Sequence, residues 1–132
     1  MPQLQNIVLT DRQATPVNHT FVPRDIDSNG VGSVIESNGV PVGDNRLSIS
    51  RRLSAGKHKC QLRLTVPVVQ NQTINGVTSP VVVRTAFVSA EFTFDEKSTE
   101  QERKDVVGMF YSSLDPSKVL VNDVLTKLQG VY

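Results

Sequence analysis

Residues 46–53 read RLSISRRL, residues 57–66 read KHKCQLRLTV and residues 84–94 read RTAFVSAEFTF. In the first stretch Leu47, Ile49 and Leu53 alternate with Arg46, Ser48, Ser50 and Arg52. In the second, Cys60, Leu62, Leu64 and Val66 alternate with Lys59, Gln61, Arg63 and Thr65. In the third, Ala86, Val88, Ala90, Phe92 and Phe94 alternate with Thr85, Phe87, Ser89, Glu91 and Thr93. Strand side chains point to opposite faces with a period of two, so each stretch is a half-buried β-strand. Ser54-Ala55-Gly56 is a short loop that joins the first two as an antiparallel hairpin. If the three strands pair, their polar rows merge into one basic surface around the ring of Phe87. Such a surface suits a nucleic acid better than it suits catalysis. Glu91 is the one acid within it, placed to tune the face by pairing with an Arg or Lys.

Upstream, Leu4 to Thr10 is apolar and β-branched enough for a strand, and His19 to Val22 is its partner across a loop containing Pro16. Pro23 restricts continuation as a central strand. Asn29-Gly30 signals a tight turn before a short strand from Val31 to Glu36. Asn38-Gly39, Pro41 and Gly43 punctuate the approach to Arg46. Downstream of Pro67, residues Gln70 to Pro80 read as a long polar loop with Asn75-Gly76 at its tip. The third long strand is expected from about Val81 to Phe94.

At Lys97 the period changes. Thr99 and Glu102 fit a capping box, and Glu100 and Glu102 lie where the helix dipole favours carboxylates. Val106, Val107, Phe110 and Leu114 recur at helical spacing. Asp115-Pro116 ends this helix and offers a cap and a first-turn Pro for a second one. Leu120, Val121, Val124, Leu125 and Leu128 form the second apolar stripe, closed by Gly130. Six or seven antiparallel strands followed by two helices make an α+β fold. At 132 residues the chain has room for a single domain, 1–132. Two such helices cover only part of a wide sheet, so a second copy of the chain is expected to bury the rest and pair the open edge: a homodimer.

Composition narrows the function. Fourteen Lys and Arg against thirteen Asp and Glu give a net charge of +1, so attraction to RNA or DNA must come from local placement of charge. The acids gather outside the sheet, at Asp95, Glu96, Glu100, Glu102, Asp105, Asp115 and Asp123. A lone Cys60 allows no disulfide within the chain and reads as a small apolar residue in a reducing compartment. No apolar run approaches the roughly 20 residues a membrane helix needs, and the start carries no signal-peptide pattern, so a cytosolic protein is expected. No cluster of His, Cys and carboxylate has metal-ligand spacing, and no nucleotide or nucleophile motif is present. Neither a cofactor nor a metal is expected, and the chain reads as no enzyme.

In order and at near-constant spacing, Asn29-Gly30-Val31, RLSISRR running into KHKCQLRLTVP, QTINGV with Pro80, and the final Gly130-Val131-Tyr132 resemble the coat proteins of the small single-stranded RNA bacteriophages, the leviviruses. The resemblance spans nearly the whole chain. It implies an N-terminal hairpin (about 4–22), a five-stranded antiparallel sheet (about 31–94) and two helices (about 99–129), in an intertwined homodimer whose sheets join into a ten-stranded one. It further implies a quasi-equivalent (T=3) icosahedral shell around phage genomic RNA, assembled in the bacterial cytoplasm. It also implies binding of an RNA stem-loop at the replicase start, which represses replicase translation and aids packaging. The phage maturation protein is a further implied partner, and no membrane is involved. Positions that shape the family's adenine pockets fall on Val31, Ser48, Ser50, Gln61 and Arg63. Those that meet phosphates or sugars fall on Arg46, Arg52, Lys57, Lys59 and Glu91. The stacking aromatic falls on Phe87, beside Ser89. Capsid contacts fall on Gln72, Thr73, Asn75, Gly76 and Pro80, and dimer contacts on Phe110, Leu120, Val121, Val124 and Leu125. Three departures matter: Phe87 stands where Tyr is common, Gln61 replaces a small hydroxyl residue, and Arg63 replaces Lys. A non-viral β-sheet module for single-stranded RNA is the alternative reading.

Overall fold

The computed structural model describes residues 2–37, 39 and 41–132, the side chain of Pro41 excepted. Asn38, half of one expected turn, lies outside the described residues. The chain forms two compact units, one ending at Thr93 and one running from Phe94 to Tyr132.

The first unit is an antiparallel sheet whose six strands lie side by side in chain order: β1 (Ile7–Thr10), β2 (Asn18–Ile26), β3 (Gly32–Glu36), β4 (Asn45–Ser54), β5 (Lys57–Ile74) and β6 (Val77–Asp95). A single 3-10 turn, Pro41–Gly43, precedes β4. β2 serves two neighbours in succession. Its first half pairs with β1, from Thr10↔Asn18 to Ile7↔Phe21, and its second half pairs with β3, from Val22↔Ile35 to Ile26↔Gly32. Pro23 therefore does not stop the strand as the sequence suggests. The register shifts between Pro23 and Asp25, and a bulge is where a ladder tolerates a residue without an N–H. The expected N-terminal hairpin and five-stranded sheet are both present and share β2.

The expected loop from Gln70 to Pro80 is instead mostly strand. β5 continues to Ile74 and β6 starts at Val77, leaving only Asn75 and Gly76 between them. Both have positive φ, 53° and 78°, the two left-handed residues of a type I′ turn. The Thr73 and Thr78 hydroxyls meet at 2.9 Å across the pair. The capsid-contact candidates Gln72, Thr73 and Pro80 thus lie on strands, and Asn75-Gly76 is the whole loop. Pro67 and Pro80 each sit where the backbone has a side free of a neighbouring ladder. Pro67 lies past Thr65, the last partner of β4, and Pro80 is on the outermost strand.

β4 and β5 pair over nine consecutive residues, from Arg46↔Thr65 to Ser54↔Lys57. The turn between them is Ala55-Gly56, with φ of 53° and 76°, again type I′. Phe21, Val34 and Leu47 form the buried core, with Leu4, Ile7, Leu9 and Leu64 packed against it.

In the second unit α1 (Glu100–Ser113) starts at Thr99, whose hydroxyl accepts from the Glu102 amide while the Glu102 carboxylate accepts from the Thr99 amide. The capping box is the one the sequence announces. α2 (Val119–Lys127) starts later than expected. Asp115 and Pro116 form a separate turn, in which Asp115 accepts from the Ser117 amide at 2.9 Å through its side chain and from the Lys118 amide at 2.9 Å through its carbonyl. With those bonds made, Asp115 caps a turn rather than the helix. At the far end Leu128, not Gly130, takes the left-handed conformation, with φ of 56°. Neither helix buries any residue within the chain.

Ala55 is the only Ala with positive φ among the described residues, a conformation that disfavours a Cβ unless the side chain can bond locally. Ala55→Asn is expected to raise stability by about 0.5–1 kcal/mol, read as a shift in the urea midpoint at fixed protein concentration.

Candidate nucleic-acid interface

The β4–β5 register decides which side chains share a face. Ser48 lies opposite Arg63, Ser50 opposite Gln61, Arg52 opposite Lys59, Ser54 opposite Lys57 and Arg46 opposite Thr65. On the other face Leu47 meets Leu64, Ile49 meets Leu62, and Leu53 meets His58. Eight of the expected site residues, Arg46, Ser48, Ser50, Arg52, Lys57, Lys59, Gln61 and Arg63, are thereby on one face of one hairpin. The same face extends onto β3, where Ser33 pairs with Ser48 and Ile35 with Arg46.

A depression of about 520 Å³ lies on this surface, lined by Asn29, Val31, Ser50, Arg51, Arg52, Lys59, Gln61 and Arg63. Its rim is set by a turn organised by Asp27. The Asp27 carboxylate accepts from the Asn29 amide at 2.8 Å and the Val31 amide at 2.9 Å, and Gly30 takes a φ of 77° that closes the turn. The Asp27 amide in turn donates to the Val31 carbonyl at 3.0 Å. Val31 therefore reaches the depression from the turn before β3, and Asn29 comes with it.

None of the ion pairs among the described residues involves Arg46, Arg52, Lys57, Lys59 or Arg63. Their charge is left free for an external anion. Glu91, expected to pair within the face, is exposed and also makes none of those ion pairs. Phe87, Ser89 and Glu91 follow one another at every second position of β6, which places them on one side of that strand. Phe87 is 76% exposed. An apolar ring held open to solvent on a strand offers a stacking platform. These three do not line the depression, which is built from β4, β5 and the β2–β3 turn.

Sequence reading missed two lining residues. Asn29 was visible only as turn chemistry. Arg51 falls on the apolar phase of β4, and its guanidinium lies 3.1 Å from Nδ1 of His58; nothing in the alternation points to it. Among the described residues no group of His, Cys, Asp and Glu is arranged to hold a metal ion.

A levivirus coat protein family model matches residues 2–132. The chain belongs to the levivirus coat proteins. It is 55% identical to the capsid protein of Pseudomonas phage PRR1 over 131 residues, 98% of this chain and 99% of that one. It is 30% identical to the capsid protein of Escherichia virus Qbeta, over 98% of this chain and 94% of that one. Among solved structures, the virus-like particle of bacteriophage ESE058 superposes with a TM-score of 0.86 at 30% identity, covering 99% of this chain and 100% of the other. The bacteriophage GA capsid protein gives 0.82 at 26% identity, over 98% of each chain. A levivirus coat protein is a structural protein and not an enzyme, which agrees with the missing catalytic motifs and sets aside a non-viral module.

The face offers phosphates two adjacent cations in the pair Arg52 and Lys59. Arg52→Gln with Lys59→Gln is expected to weaken RNA binding and to flatten the slope of log affinity against log salt by about 1.5, measured by filter binding across a salt series.

Proposed function

We propose that this coat protein acts as an intertwined homodimer with a ten-stranded sheet, that dimers close into a T=3 shell around phage RNA, and that the basic face lines the interior. On that face one RNA stem-loop, at the replicase start, binds across the sheet, repressing replicase translation and favouring packaging. The observation that carries the RNA reading is the β4–β5 register, which puts Arg46, Arg52, Lys59 and Arg63 together without carboxylate partners. Phosphate contacts from these cations supply affinity that depends on salt more than on sequence. Selection of an unpaired base falls to the depression, where Ser50 and Gln61 supply hydroxyl and amide groups and Val31 an apolar wall. Phe87 supplies the stacking surface, without the hydroxyl a Tyr would carry.

Self-association rests on a different observation, the small extent of burial in one copy. Among the described residues only Phe21, Val34 and Leu47 are buried apolar side chains, while Leu120 is 68% and Leu125 58% exposed. Phe110 and Val124 are exposed as well, and Val121 is half-buried. A 132-residue chain needs a larger core than three side chains, and helices of a second copy provide the missing cover. The relatives of known structure named virus-like particles extend this from dimer to shell. The phage maturation protein is proposed as a partner on the strength of family membership alone.

Size-exclusion chromatography of protein made in bacteria, with electron microscopy of the earliest peak, tests the assembly. Uniform spheres with nucleic-acid absorbance are expected; a lone dimer or monomer under all conditions overturns the shell. Phe87→Ala is expected to weaken stem-loop binding more than tenfold, consistent with roughly 1–3 kcal/mol per stacked base, with particles intact; unchanged affinity removes the stacking role. Val124→Asp places a charge in the proposed interface and is expected to abolish dimers in sedimentation experiments. Normal soluble dimers would show that α2 lies outside the contact.

A further inference from the structure

His19 lies on β2, away from the basic face, and both of its ring nitrogens meet carboxylates. Nε2 is 2.7 Å from Oδ2 of Asp11, in the β1–β2 loop, and Nδ1 is 2.8 Å from Oε2 of Glu36, at the end of β3. A neutral imidazole has one N–H and one lone pair, so one of these contacts would set a lone pair against a carboxylate oxygen. Only the doubly protonated ring donates to both. The geometry therefore calls for an imidazolium held between two anions.

Both carboxylates are tied to further structure. Asp11 accepts from the amides of Val17, at 3.0 Å, and Gln13, at 3.2 Å, closing the loop between β1 and β2. Glu36 accepts from the side-chain amide of Asn45, the first residue of β4, at 2.8 Å. The bridge thus joins the hairpin loop, β2, β3 and β4 at one point. A neighbouring cavity of about 370 Å³ is lined by Asp11, His19, Asn45 and apolar residues of β1, β2 and β5. From β5 only Leu64 and Val66 face it, from β1 Leu9 and Thr10, from the loop Asp11 and Gln13, and from β4 Asn45. With Glu36 from β3, the charged groups that bond the ring among the described residues are the Asp11 and Glu36 carboxylates.

We propose that the Asp11–His19–Glu36 bridge is a proton-operated latch that fastens the N-terminal hairpin to the sheet and releases it in alkaline solution. Hydrogen bonds donated to the Asp11 carboxylate and then to that of Glu36 raise the His19 pKa above its ordinary value. A raised histidine contributes its full stabilisation below about pH 6.5 and loses it as pH rises through the folded-state value. Asp11 shows the opposite sign. Bonds from the Val17 amide and His19 hold it down to about 2, so its contribution is present above the ordinary carboxylate range and fades as pH falls toward 2. The latch is held in mildly acidic solution and weakens on the alkaline side of the ordinary histidine value.

The test uses the full-length protein as purified, in two measurements. Nitrogen-15 solid-state spectra of histidine-labelled His58→Gln protein read His19 alone. An imidazolium signal dominating at pH 6.5 and fading only at higher pH is expected, and a mainly neutral ring at pH 6.5 overturns the proposal. Hydrogen exchange by mass spectrometry, corrected for intrinsic rates, then follows peptides covering residues 7–21 from pH 6 to 9. In the wild type, local opening is expected to rise by up to tenfold per pH unit above about 6.5 and then level off, as release of one proton requires. In His19→Gln the same peptides are expected to exchange faster at pH 6 and show no such rise. An equal rise in His19→Gln, or none in the wild type, overturns the proposal.

Discussion

Everything functional in this coat protein depends on the register between β4 and β5. Two left-handed residues, Ala55 and Gly56, close that hairpin with the smallest loop that preserves strand twist, and the nine pairs that follow inherit their phase from it. A slip of one residue on either strand would exchange faces, putting Arg63 where Leu64 packs and Leu62 among the serines. The apolar side of the ladder resists such a slip, because Leu47 and Leu64 are anchored in the Phe21–Val34 cluster. A small core and a tight turn together fix where five cations point. The turn carries a cost: an alanine sits in a conformation better suited to Asn or Gly.

The same register explains why a single copy looks unfinished. One face of the sheet is buried where Leu4, Ile7 and Leu9 pack against Phe21, Val34 and Leu47, while Ile49, Leu53 and Leu62 farther along remain exposed. The helices carry apolar side chains to match and bury none of them within the chain. In the proposed dimer these two deficits cancel, and the basic faces of two copies come to form one surface. Affinity for RNA and affinity for a second copy are then separable, since they use opposite faces of the same ladder. The Asp11–His19–Glu36 bridge ties the N-terminal hairpin to the sheet by charge beside the apolar cluster, its neighbouring cavity sharing Leu9, Phe21 and Leu64 with it.

Much of this was legible in the sequence because alternation at period two survives wherever one face is buried. RLSISRRL, KHKCQLRLTV and RTAFVSAEFTF announced their strands and their order in the sheet, and the first two announced the polar row they share. The capping box at Thr99 and Glu102 was equally plain, since its chemistry is local. What failed to show was context. The stretch from Gln70 to Pro80 is polar and contains Pro, which reads as loop. Its residues nonetheless form strands, because Asn75-Gly76 turns the chain tightly and Pro80 falls on the outermost strand. Pro23 misled for the same reason, being absorbed by a bulge. Asn29 and Arg51 reach the depression through a turn and a long side chain, and His19 meets carboxylates eight and seventeen residues away. No periodicity encodes contacts of that kind.

In the proposed assembly one face of the β4–β5 ladder meets RNA while the opposite face meets a second copy of the chain. A cryo-electron microscopy map of RNA-filled particles tests it most directly. RNA density is expected against Arg52, Lys59, Gln61 and Arg63, with helices of a second copy over Ile49 and Leu62. Ordered RNA on the Ile49–Leu62 face, or protein packed over the Ser50–Gln61 depression, would contradict it.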